Sequence, residues 1–177
     1  MEWVQTEDNR GNYDAWLEEI RKFKTSYVKV GITEGTADHT PKYDGQPAAP
    51  MAMIAFVHEM GAIIKVTEKM RRFLHWIGIH LKNSTNEIHI PERSFIRSWV
   101  HEQTAGIQNK IITLFDDVNS RKKNCKSALD ELGRFGQEGI KNKFISNSWP
   151  PLKFRSGEPL MDTKQLYDSI SFETVIK

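Results

Sequence analysis

The sequence predicts an α+β fold: a small, mostly antiparallel sheet packed against two long helices, with long mobile loops. Three observations predict it. Apolar residues recur at helical spacing over two long windows, near 94–118 and 127–145. Three short windows, near 26–32, 62–66 and 169–176, are β-rich or alternate in polarity. The stretches 33–50 and 150–165 hold proline and glycine and no apolar period. The expected division is a tail and amphipathic helix over 1–25, then one α+β domain over 26–177.

Taken in order, Asn12 offers a side-chain oxygen as a helix cap. Tyr13, Trp16, Leu17, Ile20 and Phe23 then follow at helical spacing. Ser26 to Ile32 reads as a strand with Val28, Val30 and Ile32 on one face. The 33–50 stretch carries three prolines and two glycines and is expected to be a mobile loop. Met51 to Val57 is apolar throughout, so strand and buried helix are both open. Ala62 to Val66 reads as a strand, and Thr67 caps a helix through Leu81 that Gly78 weakens. Ile88 and Ile90 mark an extended segment.

The longest helix is expected to start near Arg93 or Ser94 and run to about Val118, with Ile96, Trp99, Val100, Ile107, Ile111, Leu114, Phe115 and Val118 in its stripe. A polar turn over 119–124 leads to a helix from Ser127 to Ile145, with Leu129, Leu132, Phe135, Ile140 and Phe144 inward. Gly133, Gly136 and Gly139 lie three apart on it and permit close backbone approach, inside the fold or against a partner. Trp149-Pro150-Pro151 stops the helix. Asp162 caps a short turn with Gln165 at the capping-box position, and Ile170, Phe172 and Ile176 form one face of a last strand.

Composition narrows the function classes. The net charge of +2 is nearly balanced, and mean hydropathy is −0.55. No window is apolar enough to span a bilayer, and the acidic Met1–Asp8 stretch lacks the apolar core of a secretion signal. Cys125 is the single cysteine, which excludes an internal disulfide and a multi-cysteine zinc site.

His58-Glu59 invites comparison with a zinc-protease helix, but that motif needs a second histidine where Ala62 stands. If the segment is a strand, the two side chains point to opposite faces. Glu59 then makes a local hydrogen bond or ion pair, and Gly61 a tight turn. His75 and His80 are five apart and do not share a helix face well; with His89 they read as solvent-facing or core-edge residues. Pro91-Glu92 suits the start of a helix, where Glu92 meets the positive dipole end. Arg93 and Arg97 form a small positive patch or pair with Glu92. Basic runs at 69–72 and 121–126 read first as solvated faces.

Several segments, in this order, carry a resemblance. They are Val30-Gly31-Ile32, His58-Glu59-Met60-Gly61, Ile90-Pro91-Glu92-Arg93-Ser94-Phe95, the helix with Gly133 to Gly139, and Pro159-Leu160-Met161-Asp162-Thr163 through Ser169-Ile170. The ordered set resembles the tail-component, or virion morphogenesis, family of long-tailed bacteriophages over roughly residues 26 to 177. Met60 stands where that family has Phe. Lys164 stands where it has Gly, so a helical backbone is expected at Lys164 in place of the left-handed one glycine permits.

The resemblance implies a non-enzymatic neck or tail-completion protein at the head–tail junction. It implies a ring of copies, with a hexamer favoured, and neighbouring neck, connector and tail proteins as partners. It implies incidental DNA contact, no membrane, no cofactor and no metal. The expected location is the virion, with the host cytoplasm during assembly. Glu59, Gly61, Pro91, Arg93, Phe95, Asp162, Thr163 and Leu166 are expected to shape the body. Asp38, Lys42, Tyr43, Trp149, Lys153 and Arg155 are expected on docking surfaces. Two rivals stand beside it: a nucleic-acid-binding module using the two basic runs, and a metal-dependent hydrolase using His58, Glu59 and another histidine.

Overall fold

A computed structural model of the chain describes residues 10–33, 38–41, 48–146, 149 and 164–177. The fold is α+β, as expected. The described elements run α1 (Arg10–Thr25), β1 (Tyr27–Ile32), α2 (Met51–Met60), β2 (Ala62–Lys65), α3 (Glu68–Trp76), β3 (Glu87–Ile90), α4 (Phe95–Glu102), α5 (Thr104–Asn119), α6 (Cys125–Phe144), α7 (Gln165–Asp168) and β4 (Ile170–Val175).

The strands do not form one sheet. β1 pairs antiparallel with β4, with Val30 opposite Phe172 and Ile32 opposite Ile170. β2 pairs antiparallel with β3, with Ala62 opposite Ile90 and Lys65 opposite Glu87. The 62–66 strand therefore belongs to a separate hairpin. Strand order depends on partners distant in sequence, and each strand's own alternation carries no record of them.

The β1–β4 ribbon lies on α6, which is the hub of the body. One apolar cluster gathers Met51, Ala55, Phe95, Trp99, Ile140, Phe144, Leu166 and Ile170, with Val30 and Ile32 packed on it. A second gathers Leu114, Val118 and Ala128, with Ile20, Phe23 and Leu132 from α1 and α6. Ile170 is fully buried, but Ile176 lies past the strand end and is 42% exposed, contrary to its expected inward face.

The three glycines of α6 face inward, each toward a different neighbour. A Cβ at Gly133 would overlap the Phe172 ring, one at Gly136 would crowd Val30, and one at Gly139 would overlap the Trp99 indole. Residues three apart on a helix drift around it, so the glycine row crosses from β4 to β1 to α4 as it climbs.

The expected long helix from residue 93 is two helices. Gln103 separates α4 from α5 with φ −102° and ψ 14°. The Thr104 hydroxyl donates back to the carbonyls of Val100, at 2.9 Å, and His101, at 3.1 Å. That back-bonding competes for the carbonyls of the last turn of α4.

Asn124 caps α6, its Oδ1 accepting from the Ser127 N–H at 2.8 Å, and the helix starts two residues earlier than expected. Asn12 lies inside α1 and is no cap; its Oδ1 accepts from Arg121 at 2.7 Å.

The all-apolar 51–57 segment is helical, which settles what periodicity left open. Thr67 caps α3 as expected, accepting from the Met70 N–H at 3.2 Å. The helix ends at Trp76, five residues short of Leu81. Gly78 takes φ +85° and its N–H bonds the His75 carbonyl at 3.1 Å. The Ile79 N–H bonds the Leu74 carbonyl at 2.8 Å. This pair of bonds is the Schellman ending, which a glycine just past the last turn favours.

Candidate functional site

The segments that stood out in the sequence meet at one junction, where α2 passes the start of α4. Glu59 sits in the last turn of α2 and is 8% exposed. Its Oε1 accepts from the Ser94 hydroxyl at 2.7 Å and the Arg97 N–H at 2.8 Å. Its Oε2 accepts from the Ile96 N–H at 3.1 Å.

The first N–H groups of a helix have no partner within it, and its dipole leaves positive charge there. Ser94 occupies the capping position but makes no side-chain cap to the backbone. A carboxylate from another helix supplies the cap. The local hydrogen bond expected of Glu59 is thus a long-range one, spanning 35 to 38 residues of chain.

Arg97 locks the junction from outside. Its guanidinium donates to the Glu59 carbonyl at 2.8 Å and to Glu92 at 2.7 Å. Glu92 is therefore spent on Arg97 and leaves the helix terminus to Glu59. Pro91 is exposed and follows β3; it does not open α4, which begins four residues later.

Arg93 does not join Arg97 in a positive patch. It is 4% exposed, and its N–H donates to the His58 carbonyl at 2.7 Å. Burial lowers the Arg93 pKa. Burial, with the Arg93 charge second, holds the His58 imidazole down to about 4. His58 is accordingly neutral at pH 7, with its Nδ1 buried and without a hydrogen-bond partner among the described residues.

Gly61 is required by geometry. Its φ is +71°, and a Cβ there would come within 3.0 Å of the Ile90 carbonyl and 3.1 Å of the Glu92 nitrogen. Phe95, fully buried, stacks edge-on against Phe144 at 5.0 Å between centroids. Leu166, 6% exposed, packs in the same cluster from α7. Glu59, Gly61, Arg93, Phe95 and Leu166 are thus brought together, while Pro91 lies at the margin.

Lys164 overturns its expectation. It adopts the left-handed conformation, φ 56° and ψ −5°, the geometry that glycine accommodates more readily.

Among the expected docking residues, Asp38 is exposed, and Trp149 turns inward with its indole N–H donating to the Phe144 carbonyl at 2.8 Å. Asp162, Thr163, Lys42, Tyr43, Lys153 and Arg155 lie outside the described residues. In the 33–50 stretch, His39 bridges Ala49, and Thr40 exchanges two hydrogen bonds with the Gln165 amide at 2.8 and 3.2 Å. Glutamine at 165 therefore ties the loop to α7, a role the capping-box reading did not contain.

Much of the basic charge is spent within the fold. Arg71 clamps the Lys82 and Thr85 carbonyls at 2.9 and 2.8 Å. Lys123 pairs with Glu131 at 2.6 Å and Asp117 at 3.0 Å, and Lys126 pairs with Asp130 at 2.7 Å. Hydrogen bonds from Lys110 and Lys123 bring the Glu131 pKa down to about 2. Lys69, Arg72 and Lys122 remain exposed.

Sequence reasoning missed a second carboxylate of the same kind. Glu19 of α1 accepts from the Cys125 N–H at 2.7 Å and so caps the first turn of α6. Its only sequence signal is a carboxylate near the inner stripe of an amphipathic helix, at Ile20 and Phe23. His75 and His80, expected apart, approach to 2.8 Å between their Nδ1 atoms.

Among the described residues no group of three or more His, Cys, Asp or Glu side chains stands close enough to hold a metal ion. Nor, among them, is any helix long and apolar enough to cross a membrane. Comparison with protein-family models, with curated proteins and with solved structures found no match for this chain.

Proposed function

We propose that this chain is a structural virion assembly protein of the phage head–tail junction, a neck or tail-completion component that forms a ring joining tail to head. The observation that carries the reading is the convergence of the resembling segments. His58-Glu59-Met60-Gly61, Ile90 to Phe95 and the Leu166 segment lie far apart in sequence and share one junction around Phe95. The left-handed Lys164 supports it too, since the family has glycine at that position.

A ring needs two different surfaces per copy, because a heterologous contact must close on itself. The chain exposes two apolar stripes. Met53, Phe56 and Met60 follow at helical spacing on α2, 59%, 64% and 48% exposed, and Ile63 continues them on β2. Ile111, Ile112 and Phe115 expose a second stripe on α5. Scattered exposed apolar residues are ordinary, but grouped ones mark contact surfaces.

On this reading the partners are copies of itself, a hexamer being favoured, and adjoining neck, connector and tail proteins. DNA contact is incidental, and there is no catalysis. The place of action is the virion. The test is to delete the reading frame from the phage or prophage that carries it and image the lysate. The expected result is DNA-filled heads and finished tails that remain separate. Normally joined particles would overturn the proposal.

A further inference from the structure

The structure assigns to His75 and His80 a second role: a surface binding site for a divalent transition metal that favours right-angled nitrogen ligands, Cu(II) or Ni(II). The two Nδ1 atoms are 2.8 Å apart and the ring centroids 4.5 Å apart. Metal–imidazole bonds are about 2.0–2.1 Å long. Two such bonds at a right angle place their nitrogens about 2.9 Å apart, and at a tetrahedral angle about 3.3 Å. The 2.8 Å spacing is that of an N–H···N hydrogen bond, and it keeps both nitrogens near enough to become adjacent ligands of one ion once the rings turn.

The pair is held by backbone. His75 lies in the last turn of α3 and His80 follows the Schellman turn at Gly78. The Ile79-to-Leu74 and Gly78-to-His75 bonds fix the return of the chain. Arg71 holds the following loop through the Lys82 and Thr85 carbonyls. Sequence spacing hides the site, because five residues of continuous helix would separate the rings and the turn brings them back.

Both side chains are exposed, so a metal reaches them without a desolvation cost. One ring donates its Nδ1–H to the other, the tautomers setting which. Metal binding displaces that shared hydrogen bond, and a rotation about χ2, a soft torsion in histidine, turns both lone pairs onto the ion. Water fills the remaining positions. The site is labile and stands apart from the Glu59 junction, and it does not depend on the virion proposal.

The test is calorimetric titration of the full chain with CuCl2 and with NiCl2, in parallel with His75→Gln, His80→Gln and the control His89→Gln. The expected result is one site per chain for Cu(II), weakened at least tenfold by either His75→Gln or His80→Gln and unchanged by His89→Gln. Copper electron paramagnetic resonance of the wild type is expected to show two equatorial imidazole nitrogens. Equal affinity in wild type and both single variants overturns the assignment, as does a spectrum with one nitrogen or none. Circular dichroism at 222 nm checks that the exposed substitutions leave the fold intact.

Discussion

In the body, Phe95, Leu114 and Ile170 are wholly shielded from water; between Gly61 and Glu92 no residue is buried. The second region, β2–α3–β3, is as regular as the first. Its hairpin keeps register over four residue pairs, Thr67 caps its helix, and a Schellman turn ends it. What differs is the source of order. Hiding a large apolar side chain is worth about 1.5–3 kcal/mol, and a net hydrogen bond about 1 kcal/mol. The body is held by burial across distant elements and should unfold as a unit. The arm is held by caps, turns and the Arg71 clamp, each of which can open locally. Regular secondary structure is thus no measure of cooperative stability.

The largest effect should come from cutting the body. Truncation after Gly157 removes Leu166, Ile170 and Phe172 and leaves β1 without its partner. Large buried side chains are worth about 2–5 kcal/mol each, against about 5–15 kcal/mol for a whole domain. The truncated chain should show no cooperative thermal transition by circular dichroism. A transition matching the full-length chain would mean that the ribbon does not support the body.

Next is the joint between the two regions. Glu59→Ala strips the α4 terminus of its cap and should cost about 2–3 kcal/mol by urea melting, since several buried donors lose one acceptor group. Glu59→Gln keeps a neutral acceptor and should cost less. An Ala variant within 0.5 kcal/mol of wild type (roughly the scale of a surface change) would remove the joint from the account.

His58 gives the same joint a pH dependence. Its folded pKa of about 4 lies below the ordinary 6.5, so the unfolded chain takes up a proton first as pH falls. Its contribution is complete above pH 6.5 and is lost as pH drops toward 4. At about 1.4 kcal/mol per pKa unit, the loss across that window is at most about 3.5 kcal/mol. His58→Gln should flatten the wild-type decline in urea stability between pH 7 and pH 5. Parallel declines in the two proteins would sink the assignment.

A smaller effect, of opposite sign, belongs to Lys164. A non-glycine residue in the left-handed region costs roughly 1 kcal/mol. Lys164→Gly should therefore raise body stability by a few tenths to about 1 kcal/mol, the more flexible unfolded chain offsetting part of the gain. A loss of stability would mean that the lysine side chain holds the turn.

The body was largely legible from sequence and the joint was not. The apolar periods of Tyr13 to Phe23 and Leu129 to Phe144 announced α1 and α6, because a helix must bury one stripe. The α+β class followed from the same reasoning. The α4–α5 break was hidden, since neither Gln103 nor Thr104 looks like a helix breaker. The second sheet was hidden because strand pairing is non-local. Glu59 was marked out by resemblance, while its partners, 35 to 38 residues away, could not be read from spacing. The left-handed Lys164 went against its propensity, as tertiary context overrides single residues.

Native-state hydrogen exchange of the full chain tests the contrast between body and arm most directly. The Ile96 and Arg97 amides, bonded to Glu59, and the amides of Leu129 and Ile140 should exchange only through global unfolding, with one shared free energy and denaturant dependence. The Val66, Ile77 and Ile79 amides, hydrogen-bonded within the arm, should exchange at markedly lower free energy and with little denaturant dependence. Arm amides that exchange at the same free energy and slope as Ile140 would contradict the account, showing that the arm folds and unfolds with the body.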